Sequence, residues 1–266
     1  MPNPVESINV LGTLISAVNM DSAINIISSW IEQSNTNHYV CVSGVHGVME
    51  SLRNPEIKKI HNSADMCVPD GMPMTWIGWL YGKKTMNRVY GPELMQKLLE
   101  KASLKGWRNF FYGGKPGVAE ELAKKMQQKF PGLIITGTYS PPFRPLTVTE
   151  ENEITARINA HPPDILWLGI STPKQEKQMW EFKNKLKTKV MIGVGAAFDF
   201  LTGRLRLPPA WIQKIGMEWL FRMLMEPHRL APRYLRNNPL FLWHILLQLG
   251  GLRKYPYTDE HTSENH

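Results

Sequence analysis

Short apolar runs alternate with longer segments of helical periodicity through most of the chain. The short runs predict strands, and the segments between them carry apolar residues at i, i+3, i+4 spacing. The predicted strands lie near residues 38–43, 66–68, 108–112, 133–138, 164–169 and 189–194. The predicted helices span residues 21–33, 45–62 with a restart at Pro55, 72–81, 92–105, 117–129, 149–160 and 174–187. With a small β unit before them that turns at Gly12, they predict an α/β fold with a Rossmann-like, doubly wound, mostly parallel sheet.

The pattern changes after the last predicted strand, where Trp- and Arg-rich helical sequence begins. We predict a Rossmann-like catalytic domain over residues 1–205, a small helical appendage over 206–254 and a disordered tail over 255–266. The appendage is basic: from Arg204 to Lys254 there are nine Lys and Arg residues against two acids, within a net charge of +8 for the chain. This indicates an anionic partner, which is a nucleic acid, an anionic membrane or a phosphorylated lipid.

Composition argues against several classes of protein. With 266 residues, 42% of them apolar, the chain can bury a full core. Cys41 and Cys67 lie in apolar runs, so we expect buried thiols in a reducing compartment and not disulfides or a metal cluster. The start has no basic segment before an apolar run, which argues against a secretory signal. Because the apolar run 240–249 has about half the length of a bilayer span, we expect a cytoplasmic protein without a transmembrane helix.

The loops that follow the predicted strands are where an open α/β sheet binds its ligands. Asp70, in VPDGMP, stands at the mouth of a short strand and is followed by a glycine and a helical segment. A carboxylate in this position suits a catalytic group in a cleft, and it equally suits the N-cap of the following helix. The residues alone leave both interpretations of Asp70 open.

Further loops carry glycine or polar residues directly after a strand. Gly113 and Gly114 open a helix, so backbone amides there could bind a diphosphate, although a plain strand-to-helix turn has the same composition. Gln175 lies in STPKQE, and Asp199 lies in GVGAAFDF, where an isolated carboxylate needs hydrogen bonds. A bound ligand or simple loop capping would satisfy these side chains equally well.

Common cofactor and metal motifs are missing from the sequence. It has no Cys/His ligand cluster, no H-E-x-x-H, no G-x-S-x-G and no Asp-x-Asp pair that would hold a divalent ion against a nucleotide diphosphate. We therefore expect no cofactor and no metal. If a sugar nucleotide binds, positive side chains and helix ends would neutralise its phosphates.

Seven segments, taken in order, carry a resemblance to a known family. They are VPDGMP, RVYGPELM, FFYGGKPGVAEELA, TYSPPF, PDILWLGISTPKQE, GVGAAFDFLTGRLRLPPAW and EWLFRMLMEPHRL. Over residues 8–236 the chain resembles the WecG/TagA/CpsF glycosyltransferases, and STPKQE with GVGAAFDF is highly specific. The resemblance implies an inverting transfer from a UDP-sugar, commonly UDP-N-acetylmannosamine, to a polyprenyl-diphosphate-linked saccharide in bacterial cell-surface or exopolysaccharide synthesis.

The resemblance also assigns roles to single residues. Asp70 matches the general base that deprotonates the acceptor hydroxyl. The donor-binding positions that it implies are Arg88, Gly113, Gly114, Tyr139, Gln175 and Asp199. In the appendage, Arg222 and Arg229 match basic residues that meet the diphosphate-linked acceptor, and Arg233 lies about one position from a third. We expect the segment from about Pro208 onward to dock the enzyme peripherally on the anionic inner face of the plasma membrane.

One segment departs from the family pattern. Many members have Thr-x-Asn where this chain has Val42-Ser43-Gly44. The lost asparagine removes hydrogen bonds that an N-acetyl group or a hydroxyl could use. The donor sugar is therefore expected to be either of the N-acetylmannosamine type or a plain hexose such as glucose, with Ser43 supplying a hydroxyl.

Two alternative functions remain open from the sequence. A Rossmann-like sheet also serves nucleotide-dependent oxidoreductases, although the dinucleotide fingerprint is missing here. The pI of about 9.4 also suits a nonenzymatic nucleic-acid-binding protein. Against that function, the basic residues are interleaved with Trp, Leu and Met at helical spacing and no nucleic-acid motif is present, so we expect no nucleic-acid partner. The sequence gives neither the acceptor's identity nor the oligomeric state.

Overall fold

Strands and helices alternate along residues 5–33 and 36–257, which the computed structural model describes. The strands are β1 (Ser7–Val10), β2 (Thr13–Ser16), β3 (His38–Ser43), β4 (Met66–Pro69), β5 (Arg108–Gly113), β6 (Ile134–Tyr139), β7 (Ile165–Gly169) and β8 (Val190–Gly193). The helices are α1 (Met20–Gln33), α2 (Val45–Arg53), α3 (Pro55–Asn62), α4 (Met72–Leu80), α5 (Gly91–Lys105), α6 (Val118–Lys129), α7 (Val148–Ala160), α8 (Lys174–Phe182), α9 (Ala197–Leu201), α10 (Ala210–Lys214), α11 (Glu218–Met225) and α12 (Pro227–Leu249).

The six predicted strands are confirmed, and one predicted helix is too long. The helix expected over residues 174–187 ends at Phe182, where the amides of Lys185 and Leu186 both donate to the Phe182 carbonyl and close a turn. The helix expected from Thr149 begins one residue earlier. Its N-cap is Thr147, whose hydroxyl accepts from the Glu150 amide while the Glu150 carboxylate accepts from the Thr147 amide, which is a capping box.

The chain divides into two compact units. The first unit combines residues 1–20, 43–90 and 207–266, and the second combines residues 21–42 and 91–206. The segment after the predicted domain boundary is therefore grouped with two earlier stretches of the chain. The division into a catalytic domain, an appendage and a disordered tail stays a prediction, and most of the tail, from residue 258 onward, lies outside the described residues.

The second unit contains a parallel sheet with helices around it. Within this unit the strands follow the order β3-β8-β7-β5-β6, and every neighbouring pair is parallel. The central strand β7 reads ILWLG and is buried almost throughout. Strands that are covered on both faces carry continuous apolar runs of this kind. The fully buried Trp167 donates from its indole nitrogen to the side-chain oxygen of Asn109, 2.9 Å away. This is the Rossmann-like α/β fold that the sequence predicts.

The first unit begins with an antiparallel hairpin. Strands β1 and β2 pair from Ser7 opposite Ser16 to Val10 opposite Thr13. The turn between them holds Leu11 and Gly12 at φ of 54° and 86°. Two successive residues at positive φ are typical of the tight hairpin turn that matches strand twist. The predicted turn at Gly12 is confirmed.

Helix α12 is a packed element of the first unit. Its buried residues are Leu230, Asn237, Phe241 and Ile245, which share one face of the helix. Near the end of the helix, the side-chain amide of Gln248 accepts a hydrogen bond from the Leu11 backbone N–H and donates one to the Asn9 carbonyl. Both hydrogen bonds are 2.8 Å long. Midway, the side-chain oxygen of Asn237 accepts from Arg53 of α2 at 2.6 Å. In the described part of the chain, no helix combines the length and apolar character needed to cross a bilayer.

Candidate active site

Asp70 lies directly after strand β4 in the first unit. Its backbone amide donates to the Ser43 carbonyl at 3.0 Å, and one residue earlier the Pro69 carbonyl accepts from the Val89 amide at 2.8 Å. These bonds fix the strand mouth and bring the segment around Arg88 beside it. Helix α4 has Gly71, and not Asp70, at its N-cap. Asp70 is therefore not the N-cap residue of helix α4, and of its two interpretations only the catalytic one remains.

Two arginines act electrostatically on Asp70. Burial raises the pKa of this carboxyl, while the charges of Arg88 and then Arg222 counteract part of the rise. The net result is a pKa above the ordinary value for aspartate. A carboxylate with a raised pKa is a stronger base, so this environment suits the acceptance of a proton.

Arg88 is held by residues from the segment that follows residue 207. Its Nη2 lies 2.6 Å from Oε1 of Glu218, and its Nη1 donates to Oε1 of Gln213 at 3.1 Å. Its guanidinium also lies over the Tyr90 ring, 4.2 Å from the ring centre. Burial raises the pKa of Glu218 to about 7, against the lowering effect of Arg88. Glu218 was not among the site residues predicted from the sequence, although it is one of two acids in a basic segment.

Ser43 ends strand β3 with its side chain turned inward. Its hydroxyl is buried and lies 3.4 Å from Nε2 of His61, whose Nδ1 is 2.9 Å from the Ser51 hydroxyl. A Cβ atom on Gly47 would come within 2.2 Å of the Ser43 hydroxyl, so only glycine leaves it room. The hydroxyl is therefore part of a buried network, and its predicted contact with the donor sugar stays a prediction.

The three predicted basic residues of the appendage differ in their surroundings. Arg222, on α11, is half-buried and acts on the pKa of both Asp70 and Glu218. Arg229 is exposed and pairs with Glu226 at 2.6 Å. Arg233 is half-buried, and burial lowers its pKa. Of the three, Arg222 is thus the arginine with a direct electrostatic link to Asp70.

The Gly113-Gly114 turn belongs to the second unit and follows β5. A Cβ on Gly113 would meet the Gly169 backbone at 2.6 Å, and Gly114 adopts a φ of 75°. Glycine is therefore required at this turn for close strand packing. The Gly114 amide already donates to the Gly169 carbonyl at 3.0 Å, so it is engaged within the protein. The predicted diphosphate contact of this turn stays a prediction.

The other predicted donor-binding residues also lie in the second unit. Gln175 is buried, accepts from the Gly195 amide at 2.9 Å and donates to the Glu176 carboxylate at 3.0 Å. Asp199 lies in the first turn of α9 and is half-buried. Tyr139 ends β6 with its ring 5.4 Å from the Tyr112 ring. Gln175 thus braces the loop that leads to Asp199.

A family model matches almost the whole chain. The matching family is the glycosyl transferase WecG/TagA/CpsF family, and the match covers residues 8–255. The chain belongs to the WecG/TagA/CpsF family. Membership confirms the resemblance seen in the sequence and favours the transferase prediction over the oxidoreductase and nucleic-acid-binding alternatives.

Two Bacillus proteins that carry the same name are similar to this chain. Both are named N-acetylglucosaminyldiphosphoundecaprenol N-acetyl-beta-D-mannosaminyltransferase. The chain is 27% identical to the protein of Bacillus spizizenii W23 over 245 residues, which cover 91% of this chain and 93% of that protein. It is 26% identical to the protein of Bacillus subtilis 168 over 193 residues, which cover 69% and 73% of the two chains.

Proposed function

We propose that this protein is an inverting glycosyltransferase that moves a sugar from a UDP-sugar to a polyprenyl-diphosphate-linked saccharide. The observation that carries the proposal is Asp70, whose backbone is fixed directly after strand β4 and whose carboxyl is buried with a raised pKa and two arginines acting on it. Family membership and the names of both Bacillus relatives support the same reaction class. The alternatives, an oxidoreductase or a nucleic-acid-binding protein, give Asp70 no comparable role.

The proposed chemistry is one displacement at the anomeric carbon. Asp70 accepts the proton of the acceptor hydroxyl while that oxygen bonds to the anomeric carbon. The bond from that carbon to the UDP oxygen breaks, and UDP leaves with the electron pair. One displacement inverts the anomeric configuration, and the β-linked products in the relatives' names fit an α-linked nucleotide sugar donor.

We propose that arginine side chains supply the positive charge for the diphosphates. Arg88 and Arg222 both act on Asp70, and guanidinium groups bind phosphate oxygens in paired hydrogen bonds. On this basis transfer proceeds without a divalent metal or another cofactor. Gly113, Gly114, Tyr139, Gln175 and Asp199 keep their predicted donor-binding roles. The sugar is either of the N-acetylmannosamine type or a hexose such as glucose.

We also propose that the first unit docks peripherally on the anionic cytoplasmic face of the membrane, where a polyprenyl-linked acceptor resides. Helix α12 exposes Leu242, Trp243 and Leu246 at 61%, 58% and 64% of their surface. Arg229 is exposed on the first turn of the same helix. Exposed apolar and basic side chains on one helix suit interfacial binding, and each basic residue near an anionic leaflet contributes about 1 kcal/mol.

A UDP-release assay tests the proposed function. Purified protein is incubated with UDP-N-acetylmannosamine, UDP-glucose or UDP-N-acetylglucosamine, with and without an N-acetylglucosaminyl-diphosphate lipid, in the presence or absence of EDTA. We expect one UDP-sugar to release UDP only when the lipid is present, at the same rate with EDTA. Release that is strictly and reversibly dependent on magnesium or manganese would contradict the metal-independent mechanism.

A further inference from the structure

The ion pair between Arg88 and Glu218 has no role in the chemistry proposed above. Its two charged groups lie 2.6 Å apart, and the side chains are only 13% and 17% exposed. Gln213 occupies the other outer nitrogen of Arg88 at 3.1 Å. Of the two outer guanidinium nitrogens, which would bind phosphate oxygens, Nη1 is hydrogen-bonded to Gln213 and Nη2 is in ion-pair contact with Glu218, while Nη2 and Nε have no well-aligned hydrogen bond to the described residues.

The charges around this pair balance one another. Glu218 shares its surroundings with Asp70, Arg88, Arg222 and Tyr90, which makes two carboxyls, two guanidiniums and one phenol. While both carboxyls are ionised, a diphosphate that approaches Arg88 thus meets no excess of positive charge among these groups. Because buried like charges repel strongly, phosphate binding at Arg88 requires that one carboxylate takes up a proton and moves off the guanidinium.

Glu218 is the carboxylate that can leave at the lower cost. Asp70 follows β4 directly and its backbone is tied to Ser43 by a hydrogen bond. Glu218 lies in the first turn of α11, and none of the eight residues of this helix is fully buried. An element with few buried contacts shifts more easily than a strand end.

We propose that Glu218 is a resident anion on Arg88 that takes up a proton and is replaced when a substrate diphosphate binds. The inference rests on the proposed function, because it takes a diphosphate to be the ligand of Arg88. Glu218 is then a positioning residue, which keeps Arg88 oriented in the unliganded protein. Burial raises its pKa to about 7, with Arg88 opposing and Asp70 adding to the rise, so protonation near neutral pH also frees Arg88.

Pyrophosphate affinity tests this inference. Calorimetry compares wild-type protein, Glu218→Gln and the control Glu6→Gln, which removes one negative charge elsewhere in the first unit, where Glu6 pairs with Lys83. The pKa of Glu218 is about 7, so in wild-type protein this carboxyl is mostly ionised at pH 8 and mostly protonated at pH 6. If Glu218 must lose its charge before pyrophosphate binds, wild-type protein should bind about tenfold more weakly than Glu218→Gln at pH 8. At pH 6 the difference should be less than about twofold. The ratio at each pH cancels the ionisation of pyrophosphate itself. Glu6→Gln should match wild type.

Equal or weaker affinity of Glu218→Gln at pH 8, or no pyrophosphate binding by either protein, overturns the inference. If Glu218→Gln does not fold, the affinity of wild-type protein for sulfate is measured instead, because the charge of sulfate is constant between pH 6 and pH 8. Its affinity should fall by about tenfold from pH 6 to pH 8, and a flat profile overturns the inference.

Repeating the comparison with UDP and with a short prenyl diphosphate shows whether the donor or the acceptor replaces Glu218. The UDP-release assay stays separate from these binding measurements. If the protein transfers the sugar normally but the affinity ratio between wild type and Glu218→Gln does not change with pH, only the inference about Glu218 is wrong and the proposed function stands. The affinity ratio without any transfer defeats the proposed function and leaves Glu218 as a resident anion for another diphosphate.

Discussion

The two units of the chain treat apolar surface in different ways. Among the described residues, the first unit carries seventeen of the twenty-two large apolar side chains that are exposed, whereas the second unit carries five. The second unit buries Trp167, Phe110, Phe111 and Tyr112 in its sheet. A larger number of exposed apolar side chains favours surface contacts by the first unit, whereas the sheet of the second unit is the better-covered part of the chain.

The same contrast holds for charge. In the second unit the pair Arg144 and Glu150 is largely accessible, with 56% and 31% of the side chains exposed. In the first unit Arg88 and Glu218 are 13% and 17% exposed. Exposed pairs contribute little to stability, whereas half-buried pairs are shielded from solvent and occur more often at functional sites. The half-buried pair of Arg88 and Glu218 therefore indicates that the reaction takes place in the first unit.

The largest expected effect comes from Asp70→Asn, which tests whether the chemistry belongs to the first unit. The amide cannot accept the acceptor proton, so turnover should fall by about 10²- to 10⁴-fold while UDP binding and thermal stability are retained. The control Asp164→Asn changes an acid that precedes β7 in the second unit and keeps an oxygen to accept from the Arg108 amide. Wild-type turnover by Asp70→Asn, measured as UDP release, would remove Asp70 from the mechanism.

The next effect concerns membrane binding. The double variant Trp243→Glu with Leu246→Glu should bind anionic vesicles about 10- to 100-fold more weakly, because it removes apolar contact and adds two repelled charges. The matched control is Leu104→Glu with Val148→Glu, whose parent side chains in the second unit are 83% and 75% exposed. Vesicle co-sedimentation at low and high salt measures both. Wild-type protein that stays in solution at both salt concentrations would refute docking.

A smaller effect is expected on the stability of the first unit. Gln248→Ala removes the partner of the Leu11 amide, and an unsatisfied backbone group costs about 1 to 3 kcal/mol of unfolding free energy. Gln127→Ala, in the second unit, loses only a 3.4 Å hydrogen bond and should have less effect. Urea denaturation compares the two variants. Equal stability losses would show that Gln248 does not hold α12 to the hairpin.

The smallest effect is expected at the capping box of α7. The Glu150 pKa is lowered to about 2 from 4.5, mainly by its hydrogen bonds to Arg144. Its contribution is therefore present above the unfolded value and is lost as pH falls toward the folded value. The melting-temperature difference between wild type and Glu150→Gln should shrink as pH falls from about 5 toward about 2. A difference that is constant with pH would show that the charge of Glu150 has no effect.

Local patterns predicted most of the fold, and they failed where packing ends an element. Strand β7 was predictable because ILWLG is a continuous apolar run. The apolar spacing continues through Leu186, which is buried although helix α8 ends at Phe182, so the pattern alone extends the helix too far. Thr147 was missed even though Thr147 and Glu150 have capping-box spacing, because Thr149 offers a competing start.

The candidate site was predicted in part. Asp70 and Arg88 were found through motifs in neighbouring stretches of sequence. Glu218 and Gln213 were missed because they reach Arg88 only through tertiary packing of a distant segment, and no local pattern encodes that contact. The inward turn of Ser43 toward His61 was equally invisible, since their interaction depends on how β3 and α3 pack.

Mass spectrometry of the lipid acceptor tests the central claim most directly, because UDP release alone also follows from hydrolysis of the donor. An N-acetylglucosaminyl-diphosphate lipid is incubated with the preferred UDP-sugar and either wild-type protein or Asp70→Asn, and the lipid is extracted. The account predicts that wild-type protein adds the mass of one sugar residue to the lipid and that Asp70→Asn adds about 10²- to 10⁴-fold less per unit time. A lipid of unchanged mass, with free sugar and UDP as the products, would contradict it.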